Sequence, residues 1–146
     1  DHSLDWHLLE HAPHQGINQM VKSLNGLYTS EPALYEKSFV SGGFEWIEGG
    51  DAENSVLVYS RKGNESVNEL VIILNLTPVP RNAWRIGLPA EGKWRIILNS
   101  DDQKFYGSGL GKDAPVISEQ IFWHGKEQSG LIYLPPLGGL VLKLAN

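Results

Sequence analysis

The sequence contains no cysteine among its 146 residues. A chain without cysteine can form neither a disulfide framework nor a thiolate zinc site, and this favours a reducing compartment such as the cytoplasm. Long apolar runs are also missing, because no stretch approaches the roughly 20 apolar residues that span a bilayer. The sequence starts at Asp1 rather than Met, and its first residues lack the basic and then apolar order of a signal peptide. We therefore expect a piece of a longer cytoplasmic protein that does not enter a membrane.

Positive charge is scarce. Lysine and arginine number 12 against 17 aspartate and glutamate residues, which gives a formal net charge of -5. Proteins that bind nucleic acid carry a basic stripe, whereas the longest basic cluster here is Arg61-Lys62. Nucleic acid is therefore not expected as a partner. The 41% hydrophobic content is ordinary for a globular protein and predicts one domain with a short attachment.

One amphipathic helix is predicted, over residues 16–28. Its apolar residues recur at spacings of three and four, as one face of a helix requires; they are Ile17, Met20, Val21, Leu24, Leu27 and Tyr28. Ser30 is expected to cap a further short turn over residues 32–36, because proline is tolerated in a first helical turn. Helical periodicity stops between Tyr35 and Gly43, where we place a domain boundary.

The rest of the chain has the texture of short strands separated by turn formers. The predicted strands are residues 44–47, 56–60, 70–76, 84–88, 94–98, 121–124, 131–134 and 140–144. This spacing predicts a mainly β fold, an antiparallel β-sandwich of about seven to eight strands preceded by the helical segment. Residues 70–74 are apolar throughout and predict a central strand covered on both faces. Residues 140–144 partly alternate with Lys143 and predict a strand near a wet surface.

No metal or cofactor is predicted. His7, His11 and His14 are spaced by four and three, which would align three imidazoles on a continuous helix. Pro13 interrupts the helix there and no carboxylate occupies a matching position, so surface or packing histidines are the better interpretation. Residues 107–111 read Gly-Ser-Gly-Leu-Gly, but they lack the preceding strand and following helix of a phosphate-binding loop, and they predict a surface loop or wide turn.

Acidic pairs are the remaining catalytic candidates in the residue pattern. Glu45 with Glu48, and Asp101 with Asp102, could in principle flank a sugar. Both pairs fall at strand ends or turns, where carboxylates are usually only solvated. No nucleophile elbow or other local signature marks a hydrolase site.

The five tryptophans suggest a second role, because flat rings stack on the apolar faces of glucose units. Trp46, Trp94 and Trp123 fall within predicted strands and are expected mainly in the core. Trp84 begins a strand beside a loop, and Tyr106 lies beside the glycine-rich loop, so both are expected to expose their rings. Trp84, Trp94 and Tyr106 are the candidates for glucan stacking on the surface.

Seven motifs in order along the chain resemble the carboxy-terminal region of bacterial 1,4-α-glucan branching enzymes, members of the α-amylase superfamily. They are SLDWHLL at 3–9, LNGLYTSEPALYE at 24–36, GFEWI at 43–47, DAENSVL at 51–57, NLTPVPR at 75–81, GKWRIILNSD at 92–101 and LPPL at 134–137. The combination of SLDW, GFEW and TPVPR is distinctive, and the departures fall at 10–15, 107–111 and 112–128, where loops vary. A debranching enzyme or maltosyltransferase would share the architecture but not SLDW together with TPVPR.

The resemblance implies that a (β/α)₈ barrel lies upstream. In that family an aspartate attacks the anomeric carbon of an α-1,4 bond while a glutamic acid protonates the leaving oxygen, and the held glucan chain passes to a 6-hydroxyl. The family's catalytic motifs have no match here, so no catalytic residue is expected in this chain. Residues 1–36 would be the end of the catalytic barrel, with its last loop and helix, and residues 37–146 would be a β domain that supports it.

The resemblance also assigns the loop of Asp5 and Trp6 to the active-site face, where Trp6 would stack on glucan and Asp5 would accept from a hydroxyl. The expected partners are α-glucan, through the parent enzyme, and the upstream barrel. Apart from the barrel, Met20, Leu24 and Leu27 would be exposed unless they cover the β domain, and weak self-association through them is expected. A free-standing glucan-binding module is the alternative function, although such a module does not need the helix.

Overall fold

A computed structural model of the chain describes residues 3–111 and 114–145. Asp1, where the sequence starts, and the first two residues of the variable segment 112–128 lie outside the described residues. No helix in the described ranges is both long and apolar enough to cross a membrane.

The helix, α1, spans Ala12–Ser30 and therefore begins four residues earlier than predicted. Pro13 does not interrupt it, because proline in the first turn occupies a position whose N–H has no helical partner. The predicted cap by Ser30 is wrong: the Ser30 hydroxyl donates back to the Leu27 carbonyl at 3.3 Å. The expected short turn does follow, as a 3₁₀ helix at Pro32–Leu34. Another 3₁₀ helix precedes α1 at Trp6–Glu10.

Eight strands and a third 3₁₀ helix, Gln103–Phe105, make up the rest of the described fold. The strands are β1 Phe44–Asp51, β2 Val56–Lys62, β3 Glu69–Asn75, β4 Arg81–Leu88, β5 Lys93–Asn99, β6 Val116–Ile117, β7 Gln128–Leu134 and β8 Gly138–Leu144. Six form a sheet in the order β1-β2-β3-β8-β5-β6, and β4 pairs with β7 in a second sheet. All the pairings are antiparallel. The predicted mainly β sandwich with a preceding helix is confirmed.

Alternation along the strands sends side chains to two separate hydrophobic clusters. On β3, Val71 and Ile73 enter the cluster between the two sheets, whereas Leu70 and Ile72 enter a second cluster on the opposite face. Met20 and Leu27 of α1 pack against this second cluster. The central strand predicted at residues 70–74 is therefore covered on both faces, as expected.

The strand predicted at residues 121–124 is wrong. His124 and Gly125 have positive φ angles of 50° and 72°, and Trp123 and Lys126 exchange backbone hydrogen bonds across the resulting tight turn. The two-residue strand β6 was not predicted. β8 lies inside the sheet rather than near water, because β3 and β5 flank it. Lys143, which alternates with the leucines of β8, does not mark a wet surface. Its ammonium group lies 2.7 Å from the carboxylate of Glu31, at the end of α1.

Candidate functional site

The segment before α1 forms a groove of about 440 Å³ with the first half of that helix. Its lining consists of Leu4, Asp5, Trp6, Leu8, Leu9, His14, Ile17, Asn18 and Val21. The Leu8 N–H donates to the Asp5 carbonyl at 2.9 Å, and the Gln15 side-chain amide of α1 donates to the Leu9 carbonyl at 2.9 Å. These bonds hold the segment against the helix. Asp5 and Trp6 therefore share one groove, as the sequence predicts for neighbours in a single loop.

Trp6 leaves 68% of its surface exposed beside this apolar groove. An exposed indole next to a carboxylate can stack on the apolar face of a sugar while the carboxylate accepts from a hydroxyl. The Asp5 carboxylate has no hydrogen-bond partner among residues 3–111 and 114–145. The geometry is thus compatible with sugar binding, and it supplies no second carboxylate for hydrolysis at this position.

α1 carries a second apolar face that is largely exposed in the described structure, although two of its residues border the groove and the Tyr28 ring lies 6.2 Å from that of Tyr35. We call it the apolar stripe; it consists of Ile17, Val21, Leu24 and Tyr28, all exposed. Of the three residues expected to be exposed unless they cover the β domain, Met20 and Leu27 pack partly buried on the sheet, and Leu24 is exposed. The helix thus covers the β domain with one face and presents the apolar stripe on another.

The aromatic residues proposed for glucan stacking differ in exposure. Trp94 is only 1% exposed and donates its indole N–H to the Ala90 carbonyl at 3.1 Å, so it belongs to the core and cannot stack on a glucan. Trp84 is half-buried, and the Arg81 guanidinium lies 4.9 Å above its ring. Tyr106 is 63% exposed. Of the three candidates, only Tyr106 has a largely open ring.

Two tryptophans expected in the core, Trp46 and Trp123, are exposed. Trp46 lies on the edge strand β1 opposite Tyr59, and both meet Phe44. The ring centroids of Phe44 and Trp46 are 5.0 Å apart, and those of Phe44 and Tyr59 are 5.3 Å apart. This aromatic cluster was missed because the helix, which covers Tyr59's face of the sheet, does not extend over the edge strand.

The first acidic pair, Glu45 and Glu48, makes contacts that hold neighbouring segments together. Glu45 accepts from both Lys62 and Lys126, and these bonds lower the pKa of Glu45, with Lys126 the larger cause. Glu48 accepts from the Gly50 N–H at 2.6 Å, and its other oxygen lies 3.8 Å from His124 Nε2. These contacts tie β1 to β2 and to the 121–126 turn. Neither carboxylate is set aside for chemistry.

The second acidic pair organises the glycine-rich loop. The buried Asp101 carboxylate accepts from the Ser108 N–H at 2.7 Å, and the Asp101 carbonyl accepts from the Gly109 N–H at 2.8 Å. Asp102 accepts from the Lys104 N–H at 3.1 Å, which lowers the pKa of Asp102. A loop whose amides point at its own carboxylate does not form a phosphate cradle.

The three spaced histidines lie in different settings. His7 is in the 3₁₀ helix, His11 precedes α1 and His14 lies in its first turn, with the His11 and His14 rings 6.4 Å apart. Across residues 3–111 and 114–145, no group of three or more potential ligands is placed to hold a metal ion.

These features define the class: an antiparallel all-β sandwich with one appended helix whose second apolar face is largely exposed in the described structure. A solved structure of the same fold is the alpha-amylase from H. orenii, with a TM-score of 0.50, 18% sequence identity, and coverage of 87% of this chain and 20% of that chain.

Within that class, the model of the family "Alpha amylase, C-terminal all-beta domain" matches residues 46–145, and the chain belongs to this family. The chain is 46% identical over 143 residues to a 1,4-alpha-glucan branching enzyme GlgB of Cellvibrio japonicus, covering 98% of the chain and 19% of the relative. It is 43% identical to the enzyme of the same name from Aquifex aeolicus, covering 97% of the chain and 22% of the relative. The resemblance to bacterial branching enzymes is confirmed. The chain spans about a fifth of the length of these relatives.

Proposed function

We propose that this chain is the carboxy-terminal part of a cytoplasmic glycogen branching enzyme, which transfers an α-1,4-glucan segment to a 6-hydroxyl and forms an α-1,6 branch. Residues 1–36 are the end of the catalytic barrel and residues 37–146 are the β domain that supports it. The chain needs no cofactor for this role. Its substrate, α-glucan, is reached through the parent enzyme.

The observation that carries this proposal is the apolar stripe on α1. A surface helix of a globular domain typically has a single apolar face, which packs on the core. α1 has one apolar face on the sheet and another exposed to solvent. Contiguous exposed apolar surface marks an interaction site. The upstream part that the longer relatives possess is the natural occupant, because it is joined to this helix through the groove segment.

Asp5 and Trp6 follow from the same placement. If α1 is the last barrel helix, the segment that enters it is the loop after the last barrel strand, and such loops form the active-site face. Trp6 then provides a stacking platform and Asp5 a hydroxyl acceptor for bound glucan. The catalytic aspartate and glutamic acid belong to the upstream barrel, so the chain alone is expected to have no branching activity.

A chimera tests the proposal directly. The matched 143 residues of the Cellvibrio japonicus relative would be replaced by this chain, and α-1,6 linkages formed in amylose would be counted. We expect the chimera to branch amylose, and the relative truncated before this region, like the isolated chain, to be inactive. Trp6→Ala in the chimera is expected to lower kcat/KM, with Trp123→Ala, an exposed tryptophan far along the chain, as the matched control.

Two results would contradict the proposal. Branching by the isolated chain would overturn the assignment of catalysis to the upstream barrel. A folded but inactive chimera would argue that this chain supports a different activity. Equal effects of Trp6→Ala and Trp123→Ala would remove the glucan-binding role of Trp6 while leaving the rest intact.

The alternative, a free-standing glucan-binding module, loses most of its support. Trp94 is in the core and the Trp84 ring is covered by Arg81. Such a module also has no use for the apolar stripe. Weak self-association stays a prediction; it would now involve the apolar stripe rather than Met20 and Leu27, which cover the β domain.

A further inference from the structure

A polar cleft of about 300 Å³ lies between the start of α1 and residues 103–106. It is distinct from the groove of Asp5 and Trp6. Gln15 and Gln19 line it from the helix, and Gln103, Lys104 and Tyr106 line it from the opposite wall. Its volume is at the small end of the range for small-molecule sites, which is about 300–1,000 Å³.

The Tyr106 ring is held in place by an unusual backbone. Tyr106 has a φ of 65° and a ψ of 25°, the left-handed region that non-glycine residues seldom adopt. The Tyr106 N–H donates to the Gln103 carbonyl at 3.0 Å, and the Gly107 N–H donates to the Asp102 carbonyl at 3.2 Å. These bonds fix the turn and leave the ring exposed at the rim of the cleft.

Gly16 brings the two walls of the cleft together. A Cβ at position 16 would lie 2.5 Å from the Phe105 carbonyl oxygen and 2.7 Å from the Tyr106 Cβ. Only glycine lets the helix approach residues 105 and 106 this closely. The distance between the helix amides and the Tyr106 ring therefore depends on this one position.

The chemistry of the lining selects a neutral, hydroxyl-rich ligand. Each glutamine amide can both donate and accept, as sugar hydroxyls require, and an exposed ring can stack on the apolar face of a pyranose. The Lys104 ammonium group is paired with Asp102 at 3.1 Å, so the cleft does not offer a free cation to an anionic ligand. Within residues 3–111 and 114–145 the side-chain amides of Gln19 and Gln103 make no hydrogen bond, whereas the Gln15 amide donates one N–H to the Leu9 carbonyl and keeps its oxygen for a ligand.

A second polar cleft, of about 290 Å³, adjoins the first and shares Gln103 with it. Asn99, Asp102, Gly109 and Gly111 line this second cleft. Two adjoining clefts with a common amide form a polar path along the surface. An oligosaccharide, rather than a single sugar, suits that shape.

The cleft faces away from the apolar stripe. At 3.6 residues per turn, the positions of Gln15 and Gln19 lie roughly 160° around α1 from those of Ile17 and Val21. A barrel docked on the apolar stripe would therefore leave the cleft open to solvent. The cleft is also at the end of α1 nearest the groove segment, which contains Asp5 and Trp6.

From these observations we propose that the cleft holds a segment of α-1,4-glucan outside the active site, with Tyr106 stacking on a glucose ring and Gln15, Gln19 and Gln103 bonding its hydroxyls. The assignment of α-1,4-glucan as the sugar rests on the proposed function. In the parent enzyme this site would anchor a glucan chain beside the barrel and influence which chains are used.

Titration of the 146-residue chain with maltoheptaose, followed by NMR, tests the site. We expect fast-exchange shifts of the Gln15, Gln19 and Gln103 side-chain amides and weak, millimolar binding, because an open cleft orders little of the ligand. Tyr106→Asn removes the ring but tolerates the left-handed backbone, and it is expected to weaken binding roughly tenfold. Tyr35→Asn, at another exposed tyrosine, is the matched control and should change nothing. Cellohexaose, a β-1,4 oligomer, is the ligand control.

Three outcomes would overturn the proposal. The first is the absence of any shift with maltoheptaose in a chain whose amide spectrum is that of a folded protein. The second is binding that survives Tyr106→Asn unchanged or is lost equally in Tyr35→Asn. The third is an equal response to cellohexaose. None of these measurements involves branching, so an inactive chimera with an occupied cleft would refute the proposed function alone, and an active chimera with an empty cleft would refute this site alone.

Discussion

The sandwich and α1 bury their apolar residues to very different degrees. In the sandwich, Val58 and Leu142 are 0% exposed within the cluster between the two sheets. In α1, only Gly16 is buried among its 19 residues, and Val21 is 51% exposed. The sandwich therefore has a core of its own, whereas one side of the helix stays largely exposed among the described residues.

The two regions are nevertheless joined at both ends of the helix. Near its start, Gly16 contacts residues 105 and 106, and at its end Glu31 pairs with Lys143 of β8 at 2.7 Å. Between them Met20 and Leu27 pack on the sheet. The helix thus has a fixed orientation on the β domain, with the apolar stripe exposed. If α1 is the last barrel helix, as proposed, these contacts would let the β domain position it.

The largest expected effect is on the free energy of unfolding, when the same substitution, valine to alanine, is made in the sandwich and in α1. Val58→Ala deletes buried methyl groups and leaves a cavity, so we expect it to lower the free energy of unfolding by about 2–3 kcal/mol. Val21→Ala removes exposed methyl groups from a helix, and alanine has a higher helix propensity than valine. We therefore expect Val21→Ala to change the free energy of unfolding by less than about 0.5 kcal/mol. Urea unfolding of the isolated chain measures both.

A comparable loss from both variants would contradict the comparison, because it would mean that Val21 is already covered in the isolated chain. In the chimera, the difference between the stability losses of Val58→Ala and Val21→Ala should be smaller. If the barrel packs on the apolar stripe, Val21→Ala becomes a buried substitution there and its cost should rise towards that of Val58→Ala.

Seven of the eight predicted strands correspond to strands in the structure, because glycine and proline turns bracket β-rich runs along most of the chain. The exception, residues 121–124, has an apolar pattern but a turn at His124, which is not a typical turn former. β6 is too short to have a pattern of its own. The local pattern of apolar and polar residues predicts regular strands well. It does not identify a two-residue strand such as β6 or an irregular turn such as that at residues 121–124.

The candidate site was less predictable, since exposure depends on what lies across from a residue. Trp46 and Trp94 both occupy strands, but Trp94 lies between the sheets and Trp46 lies on an edge strand beyond the reach of α1. The sequence indicated that Tyr106 would be exposed because glycines follow it. The nearness of Gln15 and Gln19 to Tyr106 could not be predicted, because it results from tertiary contact between segments far apart in the sequence.

The next effect concerns two glycines in one helix. Gly16→Ala places a Cβ against the Phe105 carbonyl, so the helix must move off residues 105 and 106, and we expect a cost of about 1–3 kcal/mol in unfolding free energy. Gly26→Ala meets no atom within 4 Å and should stabilise the chain by about 0.5–1 kcal/mol through helix propensity. Thermal unfolding of the two variants measures the difference.

Equal behaviour of the two variants would show that α1 does not contact the 103–106 segment in solution. Gly16→Ala also separates the walls of the polar cleft, so it should weaken maltoheptaose binding while Gly26→Ala does not. That second measurement distinguishes a merely destabilised helix from a displaced one.

The smallest effect is a dependence of stability on pH within the sandwich region. Burial lowers the pKa of His124 below its usual 6.5, against the opposing influence of Glu48 and Asp51. Its Nδ1 accepts a long hydrogen bond from the Gly87 N–H at 3.4 Å, which only the unprotonated nitrogen can do. The folded chain therefore prefers neutral His124, whereas the unfolded chain binds a proton at 6.5.

The sign follows from linkage: the unfolded state binds more protons just below pH 6.5, so stability should fall as the pH falls from 6.5 through the lowered pKa of the folded state. His124→Gln should remove that part of the pH dependence, whereas His14→Gln, in the exposed first turn of α1, should not. Melting temperatures between pH 7.5 and 5 measure it. The pKa of Glu45 is also lowered, but its contribution is lost only below 4.5 and so does not overlap this window. An unchanged slope in His124→Gln would mean that the 121–126 turn opens to water before unfolding, and that the sandwich is less completely sealed than its buried valines indicate.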